Sequence, residues 1–207
     1  MPFKPGEREY RSFFGISATP NDDKKQPYEV QGYATTFDVP YEFGRDWDGN
    51  TVYEVIDRHA LDGADMSDVI MQFDHAGQPM ARQRNKTLEI TLDDHGMLVR
   101  ASLAGSQAGR ELYEAITNGL VDRMSWGFTV PKDGWEYDEE TRTSKITRVD
   151  KVFDVSAVSR PADEDTEIHA RSYLNGVIES EHLEQVRRKK DEREREKLLL
   201  LMSINDL

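Results

Sequence analysis

Between Leu88 and Leu103 apolar residues recur at every second position on either side of a polar break. Leu88, Ile90 and Leu92 lead to Asp93-Asp94-His95-Gly96, and Met97, Val99, Ala101 and Leu103 follow. A period of two belongs to a strand with one buried face, and the break has turn chemistry, so this stretch is expected to be a β-hairpin. The period then changes to about 3.6. Ser106 stands at an N-cap position, Ala108, Leu112, Ala115 and Ile116 share one face, and Asn118-Gly119 is a helix stop, which predicts one helix of about three turns.

The flanking segments read mostly as strands. Tyr28 to Phe37, Thr51 to Asp57, Val69 to Phe73, Arg123 to Val130 and Lys151 to Ser159 are rich in β-branched or aromatic residues, whereas Asp38 to Asn50 carries loop chemistry. Arg58 to Asp65 reads as a connector with room for one helical turn. Gly134 to Tyr137 and Ser144 to Thr147 suggest a second hairpin around Asp138-Glu139-Glu140. The expected class is therefore mainly β with a few helices (α+β), with antiparallel pairing in a barrel or a sandwich rather than a βαβ sheet.

Residues 1–26 read as a flexible N-terminal arm in which Phe13-Phe14-Gly15-Ile16 could pair as an edge strand, residues 27–170 as the folded domain, and residues 171–207 as a charged tail. Val177 to Met202 holds no Gly or Pro, and Arg187 to Lys197 is almost wholly charged. After Val177 and Ile178, Leu183 and Val186 are its only apolar side chains before Leu198. A solvated helix follows, without the heptad spacing of a coiled coil.

Composition excludes several functions. The 27 Lys and Arg against 40 Asp and Glu leave a net charge of -13, which repels nucleic-acid backbones. With no cysteine there is no thiol nucleophile, disulfide or Cys-ligated zinc. No run approaches the ~20 apolar residues of a membrane span, and Met1 to Arg11 lacks the apolar centre of a signal peptide. A soluble, intracellular protein is expected.

The richest segment chemically is Arg123-Met124-Ser125-Trp126-Gly127-Phe128-Thr129-Val130. On a strand, Met124, Trp126, Phe128 and Val130 face a core while Ser125, Gly127 and Thr129 face an open side, where Gly127 leaves room for a substrate backbone over the Ser125 hydroxyl. An exposed face carrying Ser, Gly and Thr for no catalytic reason fits the same pattern. A serine nucleophile needs a base, and His75, at the end of the apolar run Val69 to Asp74, is better placed than His59, His95, His169 or His182. The bland alternative is a hydrogen-bonded strand-end histidine. In Val152 to Val158, alternation puts Phe153, Val155 and Ala157 on one face and Asp154 and Ser156 on the other, so Asp154 is either the acid that orients the base or a surface aspartate. Asp74, His75, Asp93, Asp94 and His95 lack recognised metal-ligand spacing, and a metal-dependent hydrolase using His75 and His95 remains a rival reading.

Taken in order, Phe73-Asp74-His75, the hairpin, the helix ending Asn118-Gly119-Leu120, Met124-Ser125-Trp126-Gly127-Phe128 and Phe153-Asp154-Val155-Ser156-Ala157-Val158-Ser159-Arg160-Pro161-Ala162 resemble the prohead (capsid maturation) protease family of tailed bacteriophages, over roughly residues 28–170. The resemblance implies an antiparallel β-barrel of the herpesvirus-protease (assemblin) type and a serine endopeptidase without cofactor. It implies His75 as base, Ser125 as nucleophile and Asp154 as third member. Two positions depart from the family pattern: Asp74 stands where Asn is frequent, and Asp154 where Glu is frequent. Arg160 and the backbone near Gly127 are candidate oxyanion donors. The implied substrates are the scaffolding segment of the major capsid protein and the chain itself, inside the immature capsid in the host cytoplasm, with a homo-oligomer possible. The tail would be a tether to scaffold or capsid protein, a self-cleaved segment, or simply solvated chain. A scaffolding module that keeps the barrel without catalysis is the rival from another class.

Overall fold

The computed structural model describes residues 6–18, 28–46 and 48–159. In chain order the first strands are β1 (Glu9–Phe14), β2 (Ser17–Ala18), β3 (Glu29–Thr36), β4 (Tyr41–Arg45), β5 (Thr51–Ile56), β6 (Ile70–Phe73) and β7 (Ala76–Arg82). They are followed by β8 (Leu88–Leu92), β9 (Gly96–Ser102), helix α1 (Gln107–Thr117), β10 (Arg123–Thr129), β11 (Trp135–Asp138), β12 (Thr143–Ile146) and β13 (Lys151–Val158). The Ser106 side chain caps α1 by accepting from the Gly109 N–H at 3.0 Å, and Gly119 beyond its end has φ 71°, so start and stop fall where capping chemistry puts them.

Three sheets form, ordered β1-β10-β13-β6-β7, β11-β12-β5-β4 and β2-β3-β9-β8. Both expected hairpins are present, β8–β9 and β11–β12. The mainly β class holds, but pairing is not wholly antiparallel: β13 runs parallel to β6, and β12 parallel to β5. These partners lie far apart in the chain, so no tight turn forces them to run in opposite directions. No closed barrel is traced among the described strands; the first and third sheets meet where the chain bends from β1 into β2. There a Cβ on Gly32 would stand 2.5 Å from the Gly15 carbonyl oxygen, so only glycine lets the bend cross β3.

Two expectations are corrected. Asp38 to Asn50 is not all loop, since β4 pairs with β5 inside it. Strand β7, which had no counterpart in the sequence reading, follows His75, and its Pro79 is tolerated because β7 is a sheet edge. Glu9–Phe14, within the stretch read as an arm, is a full strand on β10. The edge pairing expected at Phe13 and Phe14 thus extends back to Glu9, and the anchor of that extension is ionic, which is why an apolar pattern did not reveal it. The buried Arg11 guanidinium bonds Glu54 of β5 twice, at 2.5 and 2.9 Å, and Tyr41 donates its hydroxyl to the same carboxylate. Burial opposes the Arg11 charge, but the Glu54 carboxylate outweighs it and raises the guanidinium pKa. The tail of residues 171–207 and its expected helix lie outside the described residues.

The core sits on one face of the first sheet. Met124, Trp126, Phe128 and Val130 are buried as the alternation predicts, alongside Met71, Val155 and Ala157 from the neighbouring strands. Each such large side chain contributes about 1.5–3 kcal/mol relative to exposure. The opposite face carries the chemistry.

Candidate active site

Strand β10 is held between β1 and β13, and the register puts Ser125 opposite Ser156 and Gly127 opposite Asp154. These four residues form a square on the face away from the core. His75 arrives from the other side of β13. Strands β6 and β7 pair Phe73 with Ala76, leaving Asp74 and His75 as a two-residue turn with φ values of 48° and 55°. Both are left-handed, as in a type I′ turn, and Asp and His are among the few residues besides Gly and Asn that enter this region readily. Asp74 ties the turn to the end of β13, accepting the Ser159 N–H at 2.8 Å and the Ser159 hydroxyl at 2.9 Å.

The turn brings the His75 ring between the two side chains predicted to work with it. Its Nδ1 lies 2.5 Å from Asp154 Oδ1, and its Nε2 lies 2.6 Å from Ser125 Oγ. Asp154 and Ser125 are buried, while the His75 side chain keeps 15 % exposure, so solvent reaches the group along the imidazole. With the carboxylate ionised, Nδ1–H donates to Asp154 and the Nε2 lone pair accepts the Ser125 hydroxyl proton. A hydroxyl in this position can be deprotonated as it attacks, and the resulting imidazolium faces a carboxylate.

Ser156, noted in the sequence only as a neighbour on the polar face, donates its hydroxyl to Asp154 Oδ1 at 3.0 Å. The i,i+2 spacing to Asp154 was the available signal. Two further corrections concern the polar face. It is not open: a Cβ on Gly127 would come 2.5 Å from Asp154 Oδ2 and 2.9 Å from Tyr10 Cε1. The space left by Gly127 is therefore filled by the protein's own carboxylate and a tyrosine ring, not reserved for a substrate backbone. Phe153 also leaves the face it was expected to share with Val155 and Ala157. The register shifts between Gly127 and Phe128, with Asp154 and Val152 as their partners, and the bulged residue Phe153 lies half-buried beneath the Arg8 guanidinium at 4.1 Å.

The other candidates do not gather here. His95 lies in the β8–β9 turn of another sheet, its ring 4.5 Å from that of Tyr33, and Asp93 accepts the Tyr33 hydroxyl at 2.7 Å. His59 is exposed, 2.9 Å from Asp62. Among the described residues no three His, Asp or Glu side chains come together as a metal site. Arg160, His169 and His182 lie outside the described residues.

A β fold carrying hydroxyl, imidazole and carboxylate in one hydrogen-bonded file has the equipment of a serine hydrolase. The chain belongs to the caudovirus prohead serine protease family, whose model matches residues 17–178, and is thus a serine protease of capsid maturation. No curated protein and no solved structure matches it. His75, Ser125 and Asp154 all fall within the matched residues. No helix among the described residues is long and apolar enough to cross a membrane.

Proposed function

We propose that His75, Ser125 and Asp154 are the catalytic triad of an endopeptidase that cuts the scaffolding segment from the major capsid protein, and cuts its own chain, inside the prohead in the host cytoplasm. The observation that carries this reading is the pair of hydrogen bonds on one imidazole, 2.5 Å to Asp154 and 2.6 Å to Ser125. As Ser125 Oγ adds to the scissile carbonyl carbon, its proton passes to His75 Nε2 and the carbonyl π pair moves onto oxygen. Collapse of the tetrahedral adduct breaks the C–N bond, and His75 gives its proton to the departing amine nitrogen. Water then adds to the acyl-enzyme while His75 takes one of its protons. The ester C–O bond breaks, Ser125 recovers a proton, and the new C-terminal carboxyl is released.

Asp154 keeps Nδ1 protonated and faces the imidazolium at each turn of the cycle. The square of Ser125, Gly127, Asp154 and Ser156 supports a positioned carboxylate, because a half-free aspartate would not hold one tautomer. Residues 27–170 constitute the protease domain in this reading, and residues 171–207 a tether to scaffold or capsid protein, or a segment removed by self-cleavage.

Incubation with the cognate major capsid protein, followed by mass spectrometry, tests the proposal. Wild type yields a discrete capsid-protein fragment and trims its own ends, and Ser125→Ala leaves both chains whole. Cleavage by Ser125→Ala would refute the assignment of the nucleophile. An intact tail in a wild-type enzyme that cuts capsid protein would refute self-cleavage and leave the tether.

A further inference from the structure

We infer that Tyr10, on the N-terminal strand, and Arg8, just before it, are positioning residues for the His75–Asp154 pair, an inference that rests on the triad reading above. Both precede residue 17, where the family match begins. Strand β1 is fastened from one face and works from the other. Arg11 is locked to Glu54 on the core side, and alternation then directs Tyr10 to the side of Ser125, opposite Gly127 in the register.

The Tyr10 ring lies 4.2 Å from the His75 ring, centroid to centroid, tilted by 57°. Ser125 and Asp154 restrain the imidazole at its two nitrogens, and Tyr10 packs against the ring itself. Arg8 addresses the remaining oxygen. Asp154 Oδ1 accepts from His75 and Ser156, whereas the buried Oδ2 has no hydrogen-bond partner among the described residues and forms an ion pair with Arg8 Nη1 at 3.6 Å.

That separation exceeds a charge-assisted hydrogen bond of about 2.8 Å by about 0.8 Å, so Arg8 acts on Oδ2 chiefly through its charge. The Arg8 group is itself steered, lying 4.1 Å above the Phe153 ring that the β13 bulge turns toward it and 3.5 Å from the Tyr10 hydroxyl. Gly127 completes the arrangement, since a Cβ there would strike both Asp154 Oδ2 and Tyr10. The carboxylate thus has one oxygen held by hydrogen bonds and the other by a cation, with an aromatic wall behind the base.

The test uses the full chain and a fluorophosphonate probe, whose reaction with Ser125 reports activation of the hydroxyl independently of capsid binding. Labelling rate and thermal midpoint are measured for Tyr10→Ala, Tyr10→Phe, Arg8→Met and Arg8→Lys, beside wild type and Ser125→Ala. Loss of the ring in Tyr10→Ala slows labelling by about 10–100-fold, the scale expected for a sub-ångström to ångström misplacement. Tyr10→Phe, which keeps the ring, stays within about threefold.

Arg8→Met keeps an unbranched side chain but removes the charge and slows labelling by about 3–10-fold, and Arg8→Lys restores most of the rate. The Arg8 pair keeps the inference testable even if Tyr10→Ala fails to fold, because Arg8 is 40 % exposed and precedes the strand. Wild-type labelling in both Tyr10→Ala and Arg8→Met, with Ser125→Ala unlabelled, overturns this inference and leaves the triad standing. Equal loss in Arg8→Met and Arg8→Lys overturns the charge role. Labelling that persists in Ser125→Ala overturns the triad itself.

Discussion

Gly127→Ala tests the site more sharply than removal of any polar group, because it adds one methyl and deletes nothing. The new Cβ would stand 2.5 Å from Asp154 Oδ2, where ordinary contact starts at 3.4 Å, so the carboxylate must retreat by 3.4 − 2.5 = 0.9 Å. Tyr10 Cε1, at 2.9 Å, must also yield. A shift of that size breaks the 2.5 Å contact to His75 Nδ1 or the 3.0 Å bond from Ser156. Misplacement by about 1 Å costs about 10²-fold in rate, or about 2.7 kcal/mol at 1.36 kcal/mol per decade. The backbone itself is not strained, since Gly127 lies in an ordinary strand conformation, and overpacking costs about 1–3 kcal/mol of stability. Fluorophosphonate labelling of Ser125 should therefore slow about 100-fold while the thermal transition stays cooperative. Gly63→Ala, whose Cβ would meet nothing within 4 Å, is the control and should behave as wild type. A Gly127→Ala enzyme that labels within twofold of wild type would show that the carboxylate's position does not set the rate, and the reasoning would fail.

Asp74 should matter through its conformation and its two accepted bonds rather than its charge. Asp74→Ala loses both bonds from Ser159 and puts alanine at φ 48°, lowering stability by about 1–3 kcal/mol and slowing labelling about tenfold. Asp74→Asn, which retains an acceptor and tolerates the left-handed turn, should stay near wild type in both; equal damage from the two variants would count against the turn argument. Glu9 supplies a pH prediction. Burial pushes its carboxyl pKa above the ordinary 4.5, against the pull of Arg11, so its contribution is fully present below that value and is lost as pH rises through the higher folded value. Glu9→Gln should then be more stable than wild type near pH 7 in urea titrations, with the gain vanishing near pH 4. A gain of equal size at both pH values would contradict the sign.

The parts legible from sequence are those governed by local period and local chemistry. The β8–β9 hairpin, the capped helix α1, the core face of β10 and the polar placement of Asp154 each follow from spacing within one element. His75, Ser125 and Asp154 could be chosen by residue type and order, but no local pattern says that a parallel β6–β13 pair will set the His75 turn beside the end of β13. The first half of strand β1 was hidden for a different reason. Tyr10 and Arg11, with Arg8 just before the strand, have the composition of a solvated arm, although a buried ion pair fixes them to the fold. Phe153 was misplaced because a single extra residue reverses alternation without leaving a trace in the apolar pattern.

If Asp154 is the third member of the triad, as proposed above, its shortness makes sense in this setting. Aspartate has one methylene fewer than the glutamate frequent at this position in the family pattern, so its strand must deliver it nearer the imidazole. Three features shorten the reach. The type I′ turn folds His75 back over the sheet instead of letting it extend past the strand end, Gly127 clears the ground on which the Asp154 carboxylate lies, and Ser156 anchors Oδ1 from two residues along the same strand. Each uses backbone geometry or a hydrogen bond of fixed direction rather than a flexible side chain. Little rotamer entropy is therefore lost in holding the carboxylate, and the imidazole is oriented before substrate arrives. On this argument Asp154 and Gly127 are one adaptation: the shorter acid reaches His75 only because the facing position on β10 carries no side chain.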